Sequence, residues 1–255
     1  MSTVRRAYAI GASAWAEGPS RVYGRLAEEL VAFSPIDLAG CSVLDLGSGT
    51  GVASTAAAAT GARVTAVDLA FEMLAVDRES RPPGAAADAV ALPFRSDAFD
   101  VSLAAFSLNH LDDPTVGVRE AGRVSRLLVA STYAADDDHP VKAAVEQALE
   151  ERGWQRPQWY PQVRAAMAAW GTVEAATAVI ERGGLRPVRV EKREIELAEL
   201  GPTDMVAWRM GMAQSAPFLA SLSGEDRRRC TLRALELLGT DPPPIVRRVI
   251  FLAAD

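Results

Sequence analysis

Five short apolar segments, separated from one another by helical or turn segments, lie between residues 41 and 132 of the 255-residue chain. We predict strands at 41–46, 62–68, 84–88, 99–106 and 127–132. Helices between short strands are typical of βαβ crossovers, which produce a parallel sheet. Such sheets bind ligands at the carboxyl ends of their strands, near the point where the strand order reverses. We therefore predict an α/β fold whose functional residues follow the strands.

A glycine-rich turn follows the first strand, in the segment VLDLGSGTG at residues 43–51. Glycines at this place let the backbone turn sharply and approach a ligand closely. The fingerprint of dinucleotide-binding enzymes needs a third glycine where this chain has Val52. Asp45, two residues before Gly47, would repel a pyrophosphate and would suit a cationic group such as the α-ammonium of an amino acid. The expected ligand is therefore not a dinucleotide.

Two further aspartates follow the next two strands. Asp68 ends the second strand, about twenty residues beyond the glycine turn, where a carboxylate accepts hydrogen bonds from ribose hydroxyls. Asp88 ends the third strand, where it could accept from an exocyclic amine such as that of adenine. A single aspartate at a strand end is more often a helix cap or a turn residue. Three in register instead predict one pocket for a ligand with an ammonium group, a ribose and an adenine.

This ordered set of segments resembles the class I S-adenosylmethionine-dependent methyltransferases. The matching segments are VLDLGSGTG at 43–51, VTAVDLAFEMLAVDR at 64–78, ADAVALPFRSDAFD at 87–100 and SLAAFSLNHLDD at 102–113. The resemblance implies a Rossmann-like, doubly wound, mostly parallel seven-stranded sheet with a helical cap. It also implies S-adenosylmethionine as the cofactor and S-adenosylhomocysteine as a product.

The resemblance further implies which residues hold the cofactor. The glycine turn would line its methionine end, and residues after the second, third and fourth strands would hold the ribose, the adenine and one side of the cofactor. In chain order these residues are Asp45, Gly47, Ser48, Gly49 and Gly51, then Asp68, Leu69 and Met73, then Asp88 and Ala89, and finally Phe106.

An N-terminal helix closes over the cofactor in small-molecule members of the family, and residues 1–38 are predicted to be helical here. Tyr8, Trp15 and Tyr23 are the candidates, and we assign Tyr23 to the cofactor because a tyrosine hydroxyl could reach its carboxylate. The same aromatic side chains would equally suit docking of the helix on the sheet. The chain departs from the family before the fifth strand, where GRVSRL at 122–127 replaces a Pro-Gly-Gly-like turn. The wall at that edge is therefore not predicted.

His110 is the candidate catalytic residue, because it follows the fourth strand, where acceptors lie in this family. An unperturbed histidine has a pKa of about 6.5, which suits a general base at neutral pH. Asp112 or Asp113 would orient its ring. The alternative is that His110 only shapes the loop. His139, beside the acidic run at 136–138, is a weaker candidate, and the run itself is predicted to be a solvated loop.

The remaining segments are predicted to complete one methyltransferase domain over residues 1–255. Its cofactor-binding core is 39–135, and 139–183 and 202–240 are helical cap segments, the first of them rich in tryptophan. Alternation of apolar and charged residues over 185–197 predicts a half-exposed strand, and 245–254 a closing strand. The cap would cover a concave, mostly apolar acceptor pocket.

Composition limits the partners. The formal net charge of −6 argues against nucleic acid, because phosphate binding needs a basic face, and the basic pair at 247–248 is predicted to be a solvated strand edge. No apolar run approaches the length of a membrane span. The two cysteines and two histidines match no metal-ligand spacing, so we expect no metal and reduced thiols in a cytoplasmic protein. A homodimer is allowed.

The leading interpretation is methyl transfer to an oxygen, nitrogen or carbon nucleophile of a small-molecule acceptor, with a specialised metabolite of natural product biosynthesis as the best guess. Two alternatives share the cofactor: a non-methylating enzyme that catalyses a cyclisation or rearrangement, and a non-catalytic S-adenosylmethionine-binding protein. A dehydrogenase is the alternative at the level of the fold.

Overall fold

The computed structural model describes residues 3–255, in which seven strands form one sheet. They are β1 (Ser42–Leu46), β2 (Arg63–Asp68), β3 (Gly84–Ala86), β4 (Phe99–Ala105), β5 (Ser125–Tyr133), β6 (Pro187–Leu197) and β7 (Ile245–Ala254). Their spatial order is β3-β2-β1-β4-β5-β7-β6. The first five are parallel, and β7 runs antiparallel to both of its neighbours. The predicted α/β fold with a mostly parallel seven-stranded sheet is confirmed, and its strand order reverses between β1 and β4.

Helices cover both faces of the sheet. The α-helices are α1 (Thr3–Glu17), α2 (Pro19–Phe33), α3 (Val52–Ala59), α4 (Phe71–Ala75), α5 (Pro114–Val124), α6 (Val141–Glu150), α7 (Tyr160–Ala168), α8 (Val173–Arg182), α9 (Pro202–Met210), α10 (Ala216–Ser221) and α11 (Gly224–Leu238). A 3₁₀-helix spans Leu108–His110. Over residues 3–255, none of these helices is both long enough and apolar enough to cross a membrane.

Two apolar clusters, one on each face, form the core. Alternation along β7 illustrates them, since Val249 and Phe251 join the cluster that contains α2, α6 and α9, whereas Ile250 and Leu252 join the cluster that contains α5 and α8. Successive side chains of a strand point to opposite faces. Because both faces are buried, the central strands have the nearly continuous apolar sequences from which they were predicted.

Several predicted boundaries differ from the observed ones. Helix α4 ends at Ala75, early in the segment that precedes β3, because Val76 is extended and Asp77 adopts a positive φ of 49°. The N-terminal helical segment predicted at 1–38 is two helices joined at Gly18, and its first two residues lie outside the described ones. Within the predicted cap segment 139–183, α8 packs against α5 and β6 on the sheet, away from the other cap helices.

The junction before the fifth strand explains the departure noted in the sequence. Helix α5 ends at Val124 and β5 begins at Ser125. The Ser125 side chain helps to end the helix, because its hydroxyl donates a 2.8 Å hydrogen bond to the carbonyl of Ala121. A turn of the family's usual kind therefore has no room at this edge.

The first two helices meet α9 at a close crossing. A Cβ atom added to Gly18 would lie 2.3 Å from the carbonyl oxygen of Ala207, and one added to Gly211 would lie 2.5 Å from the carbonyl oxygen of Ala14. Both neighbours are backbone atoms, which cannot rotate away as a side chain would. The crossing that fixes α1 and α2 against α9 therefore depends on these two glycines.

We expect Gly18→Ala to lower the free energy of unfolding by about 1–3 kcal/mol, the usual cost of an overpacked site. The matched control is Gly24→Ala, in the interior of α2, where an added Cβ would meet no atom within 4 Å. That change should raise stability by about 0.5–1 kcal/mol, since alanine is the better helix former. Urea denaturation of both variants tests the pair, and equal effects would contradict the packing argument.

Candidate active site

One cavity of about 590 Å³ opens at the carboxyl ends of β1, β2 and β4. One end is formed by the glycine turn after β1 and by residues that follow β2 and β3. The other end is formed by side chains of α1, α7 and α9 and of β5 and β7. The cavity lies where the strand order reverses, the position at which open α/β sheets bind ligands.

The glycine turn is hydrogen-bonded to the end of β2. The Ser48 amide donates to the carbonyl of Val67 at 2.9 Å, and the Gly49 amide donates to Oδ2 of Asp68 at 2.8 Å. Gly47 has a φ of +65°, and a Cβ atom there would lie 2.4 Å from Cβ of Ser107. Only glycine meets both requirements, so the sequence of the turn is fixed by its geometry.

Asp45 lies in β1 and lines the cavity. The residue is buried, with 1% of its surface exposed. Its Oδ2 accepts a hydrogen bond of 2.5 Å from the hydroxyl of Ser54, whereas its Oδ1 has no partner among the described residues. Burial raises the pKa of Asp45 to about 6, against the opposing effect of Ser54. A buried carboxylate oxygen without a donor requires a cationic or hydrogen-bonding ligand.

Asp68 and Asp88 also line the cavity. Besides its bond from Gly49, Asp68 accepts a 2.8 Å bond from the amide of Ala70, and burial raises its pKa. Asp88 accepts from the amide of Val90 at 3.1 Å. Each carboxylate thus has one or two backbone donors and keeps acceptor capacity for hydroxyl or amine groups. The structure brings the three predicted carboxylates to one cavity.

Most of the other predicted cofactor residues line the same cavity: Tyr23, Gly47, Ser48, Gly49, Leu69, Met73, Ala89 and Phe106. Gly51 does not. It caps α3 with a φ of +93°, and an added Cβ would lie 2.9 Å from the guanidinium carbon of Arg81. Its place in the sequence motif is therefore explained by the turn, and the structure puts it outside the cavity wall.

Arg81 is a residue of this site that the sequence analysis missed. Its guanidinium donates to the carbonyl of Gly49 at 2.7 Å and to the hydroxyl of Ser48 at 3.0 Å. Its positive charge lowers the pKa of both Asp45 and Asp68, although burial is the larger effect in each. Arg81 itself does not line the cavity. Arg81 follows the short helix α4 in a segment without a pattern, so no sequence signal identified it.

Aromatic side chains connect the two ends of the cavity. Phe106, with a positive φ of 54°, stacks on Tyr133 at a centroid distance of 4.4 Å. Tyr23 meets Phe106 edge-on at 5.4 Å and lies 4.9 Å from Trp15. Backbone strain of this kind in a non-glycine residue is a feature of functional sites. Tyr133, at the end of β5, was not predicted.

His110 lies in the wall beside α1. The hydroxyl of Tyr8 is 3.3 Å from Nε2 of His110, and the two rings meet edge-on at 5.7 Å. Burial lowers the pKa of His110 to about 4, whereas an unperturbed histidine has a pKa of about 6.5. The ring is therefore neutral at pH 7. Asp113 instead caps α5 through the amide of Thr115. The side chain next to the His110 ring is therefore Tyr8 rather than the predicted aspartate.

His139 lies away from the cavity. Its Nε2 is 3.0 Å from the carbonyl of Pro243, and its Nδ1 accepts from the amide of Val141 at 3.2 Å. These bonds fix the loop before α6.

The acidic run at 136–138 was expected to be a solvated loop, which is wrong for Asp137. That residue is 5% exposed and forms a bidentate ion pair with Arg247, at 3.0 and 2.7 Å. The solvated strand edge predicted at 247–248 is likewise wrong for Arg247, which is buried.

The donor set of the first end fits S-adenosylmethionine. The unpartnered Oδ1 of Asp45 suits an ammonium group, while Asp68 and Asp88 offer acceptors to hydroxyl and amine groups. Gly49 has a φ of +54°, a conformation that favours glycine, and an added Cβ atom would lie 3.4 Å from Cε of Met73. An open α/β sheet with such a cavity is suited to bind a nucleoside that carries a cationic group.

Comparisons with known proteins agree with this class. A family model described as a methyltransferase domain matches residues 44–127. A demethylmenaquinone methyltransferase of Mycolicibacterium gilvum (strain PYR-GCK) is 29% identical over 196 residues, which are 73% of this chain and 84% of the relative. Phosphoethanolamine N-methyltransferase 2 of Haemonchus contortus, solved with S-adenosylhomocysteine, has the same fold at 19% identity and a TM-score of 0.52, covering 88% of this chain and 50% of that one. The (4+2)-cyclase SpnF also has this fold, at 17% identity and a TM-score of 0.53, covering 91% of this chain and 80% of that one.

The matched domain, the relatives and the fold support a class I S-adenosylmethionine-dependent methyltransferase, an enzyme that uses S-adenosylmethionine as its cofactor. This confirms the family, the fold and the cofactor inferred from the sequence.

Since an ammonium group binds the ionised form of Asp45, we expect affinity for S-adenosylhomocysteine to be full above the raised pKa and to fall as the pH drops below about 6. Asp45→Asn should weaken binding at pH 8 and flatten the dependence on pH. Calorimetric titration from pH 5 to pH 8 measures both effects, with Asp241→Asn at an exposed site as the control. An unchanged affinity of the wild-type protein over this range would contradict the contact between Asp45 and the ammonium group.

Proposed function

We propose that the enzyme transfers a methyl group from S-adenosylmethionine to a nucleophile of a small, mostly apolar and aromatic acceptor. The observation that supports this most is the continuity of the cavity, which joins the three carboxylates to an enclosure lined with aromatic and methionine side chains. Concave, mainly apolar pockets with a few polar groups are typical of small-molecule sites. Trp159 and Tyr160 at the start of α7, and Met212 after α9, form much of this enclosure.

The chain's contribution to the reaction is mainly positioning. The bound cofactor supplies a methyl group already activated by its sulfonium. Asp45, Asp68 and Asp88 would hold the cofactor in one orientation, and the aromatic side chains of the enclosure would press the flat face of an acceptor toward it. Holding two reactants in a near-attack geometry is worth up to about 7–11 kcal/mol of barrier. Residues of α1 and α7 would exclude water from the enclosure.

We assign to His110 the role of proton acceptor. Its neutral ring at pH 7 follows from the pKa of about 4. A hydroxyl or amine becomes strongly acidic as its bond to the methyl carbon forms, so a weakly basic imidazole suffices to accept the proton late in the reaction. The Tyr8 hydroxyl, 3.3 Å from Nε2, would fix the ring. Nδ1 has no partner among residues 3–255 and would accept the proton. Its role in the loop alone is the competing interpretation.

The relatives support an aromatic acceptor, because those matched by sequence are named for demethylmenaquinone. Hydroxylated naphthalenes are therefore the first probes, followed by phenols and aromatic amines. A specialised metabolite as the natural acceptor, the absence of a nucleic-acid partner and the allowed homodimer all remain predictions.

Product analysis tests the proposed function. The full-length protein is incubated with methyl-labelled S-adenosylmethionine and each probe, and mass spectrometry follows the label and S-adenosylhomocysteine. Labelled product with an equal amount of S-adenosylhomocysteine supports the proposal. An isomerised probe with unconsumed cofactor would support the non-methylating alternative, and unchanged probes throughout would count against small aromatic acceptors.

For the accepted probe, we expect His110→Asn to lower kcat on the order of 10²-fold, the usual contribution of a general base. Tyr8→Phe should lower kcat less, because the imidazole remains. In the wild-type protein the acidic limb of the kcat profile should lie near the pKa of about 4 and should disappear in His110→Asn. A loss of less than threefold in that variant, with unchanged affinity for S-adenosylhomocysteine, would make His110 a loop residue.

A further inference from the structure

The end of the cavity remote from the glycine turn contains three buried donor side chains, which we call the donor cluster: Arg209, Gln214 and Arg247. Each is at most 5% exposed, and each lines the cavity. Within the described chain, Arg209 Nε, Gln214 Nε2 and Arg247 Nη1 are buried nitrogen atoms without a hydrogen-bond partner. Buried donors are nearly always paired in proteins. Three of them on residues that line one cavity therefore point to a ligand group that accepts hydrogen bonds.

The donor cluster carries an excess of positive charge. Asp137, which also lines the cavity, is already satisfied, since Arg247, the amide of Arg248 and Lys142 all donate to its oxygens. The nearest carboxylate to Arg209 belongs to Glu146 at 3.9 Å, and Glu146 is held more closely by Arg156 at 2.6 Å. Lys142 also pairs with Asp138 at 3.2 Å, so two carboxylates balance Lys142 and Arg247. The excess positive charge of the donor cluster is therefore that of Arg209, which within residues 3–255 has only the distant carboxylate of Glu146.

The guanidinium of Arg247 is fixed in place. It lies between the rings of Tyr133 and Trp208, at 4.4 Å and 4.5 Å from their centroids, and two of its nitrogens bind Asp137. Its remaining nitrogen, Nη1, is held in one direction by these contacts. Trp208 also lies 5.5 Å from the guanidinium of Arg209. A planar, preorganised guanidinium is the donor best suited to a carboxylate.

The donor cluster and the carboxylates of the cavity are influenced by different groups. Arg209 and Arg247 lower the pKa of Lys142, and both oppose the rise that burial causes in the pKa of Tyr23. Arg81 is instead the cation that lowers the pKa of Asp45 and of Asp68. Tyr23 therefore lies within reach of the charge of the donor cluster, whereas Asp45 and Asp68 are influenced chiefly by Arg81.

We propose that the donor cluster binds a carboxylate of the methyl acceptor, so that the natural substrate is an aromatic or apolar carboxylic acid. This rests on the proposed function only in taking the enclosure as the acceptor site. Arg209 Nε, Gln214 Nε2 and Arg247 Nη1 are the donors, and the aromatic side chains between them and the glycine turn contact the body of the acceptor. The ion pair would fix which atom of the acceptor faces the methyl group.

The test is binding of two probes of the same shape, 2-naphthoate and 2-naphthamide, to the full-length protein saturated with S-adenosylhomocysteine. Calorimetry should show the carboxylate bound at least tenfold more tightly than the amide. Arg209→Gln should weaken 2-naphthoate about tenfold and change 2-naphthamide less than threefold, and Arg209→Lys should recover part of the loss. Gln214→Met, which removes a neutral donor, should weaken 2-naphthoate about threefold.

The matched control is Arg228→Gln, which removes an exposed positive charge of α11 and should leave both probes unaffected. Equal affinity of the wild-type protein for the two probes, or no binding of 2-naphthoate at millimolar concentration, would overturn the proposal. So would a tenfold loss of S-adenosylhomocysteine affinity in Arg209→Gln, since the donor cluster would then serve the cofactor carboxylate. Discrimination between the probes without methyl transfer to any acceptor would instead reject the proposed function and leave the carboxylate site standing.

Discussion

The hydrogen bond from the Gly49 amide to the Asp68 carboxylate holds the turn after β1 against the end of β2. The Ser48 amide also binds the Val67 carbonyl, but only the Gly49 bond ties the turn to the Asp68 carboxylate itself. Arg81 reinforces the arrangement from outside by binding the Gly49 carbonyl. Its positive charge also offsets the repulsion from Asp68, and this repulsion is what raises the pKa of Asp45 beyond the effect of burial. One backbone amide and one guanidinium thus stabilise a concentration of negative charge around the cofactor site.

The cavity has opposite charges at its two ends and aromatic rings between them. Carboxylates lie beside the glycine turn, and the donor cluster is formed by α9, the segment after it and β7. Stacked and edge-on contacts from Trp15 through Tyr23 and Phe106 to Tyr133 fix the rings of the middle section. A cationic ligand group and an anionic one would therefore be directed to different ends. Orientation of two reactants by charge needs few residues, which agrees with a reaction that depends chiefly on placement.

Local sequence patterns predicted the sheet, and they identified three aspartates that the structure brings to one cavity. Alternating strands and helices identified the strand ends, and Asp45, Asp68 and Asp88 follow from those positions. The donor cluster and Arg81 could not be found in this way, because their partners are brought together by tertiary packing. Arg247 stands in a basic pair that is typical of a solvated strand edge, yet Asp137 and two aromatic rings bury it. Likewise, burial beside Tyr8 gives His110 a pKa of about 4, which sequence position alone does not reveal.

An ammonium group bound to Asp45 would link the occupancy of the enzyme to its lifetime. In the unfolded chain its carboxyl group has an ordinary pKa of 3.8, whereas burial raises it to about 6 in the folded one. Ionisation at neutral pH therefore costs the folded state on the order of 3 kcal/mol, and a bound ammonium group offsets that cost. Ligands that bind only the folded state stabilise it by mass action. A cell short of S-adenosylmethionine would thus hold this protein in its least durable form, more open to proteolysis, and its abundance would follow the supply of its own cofactor.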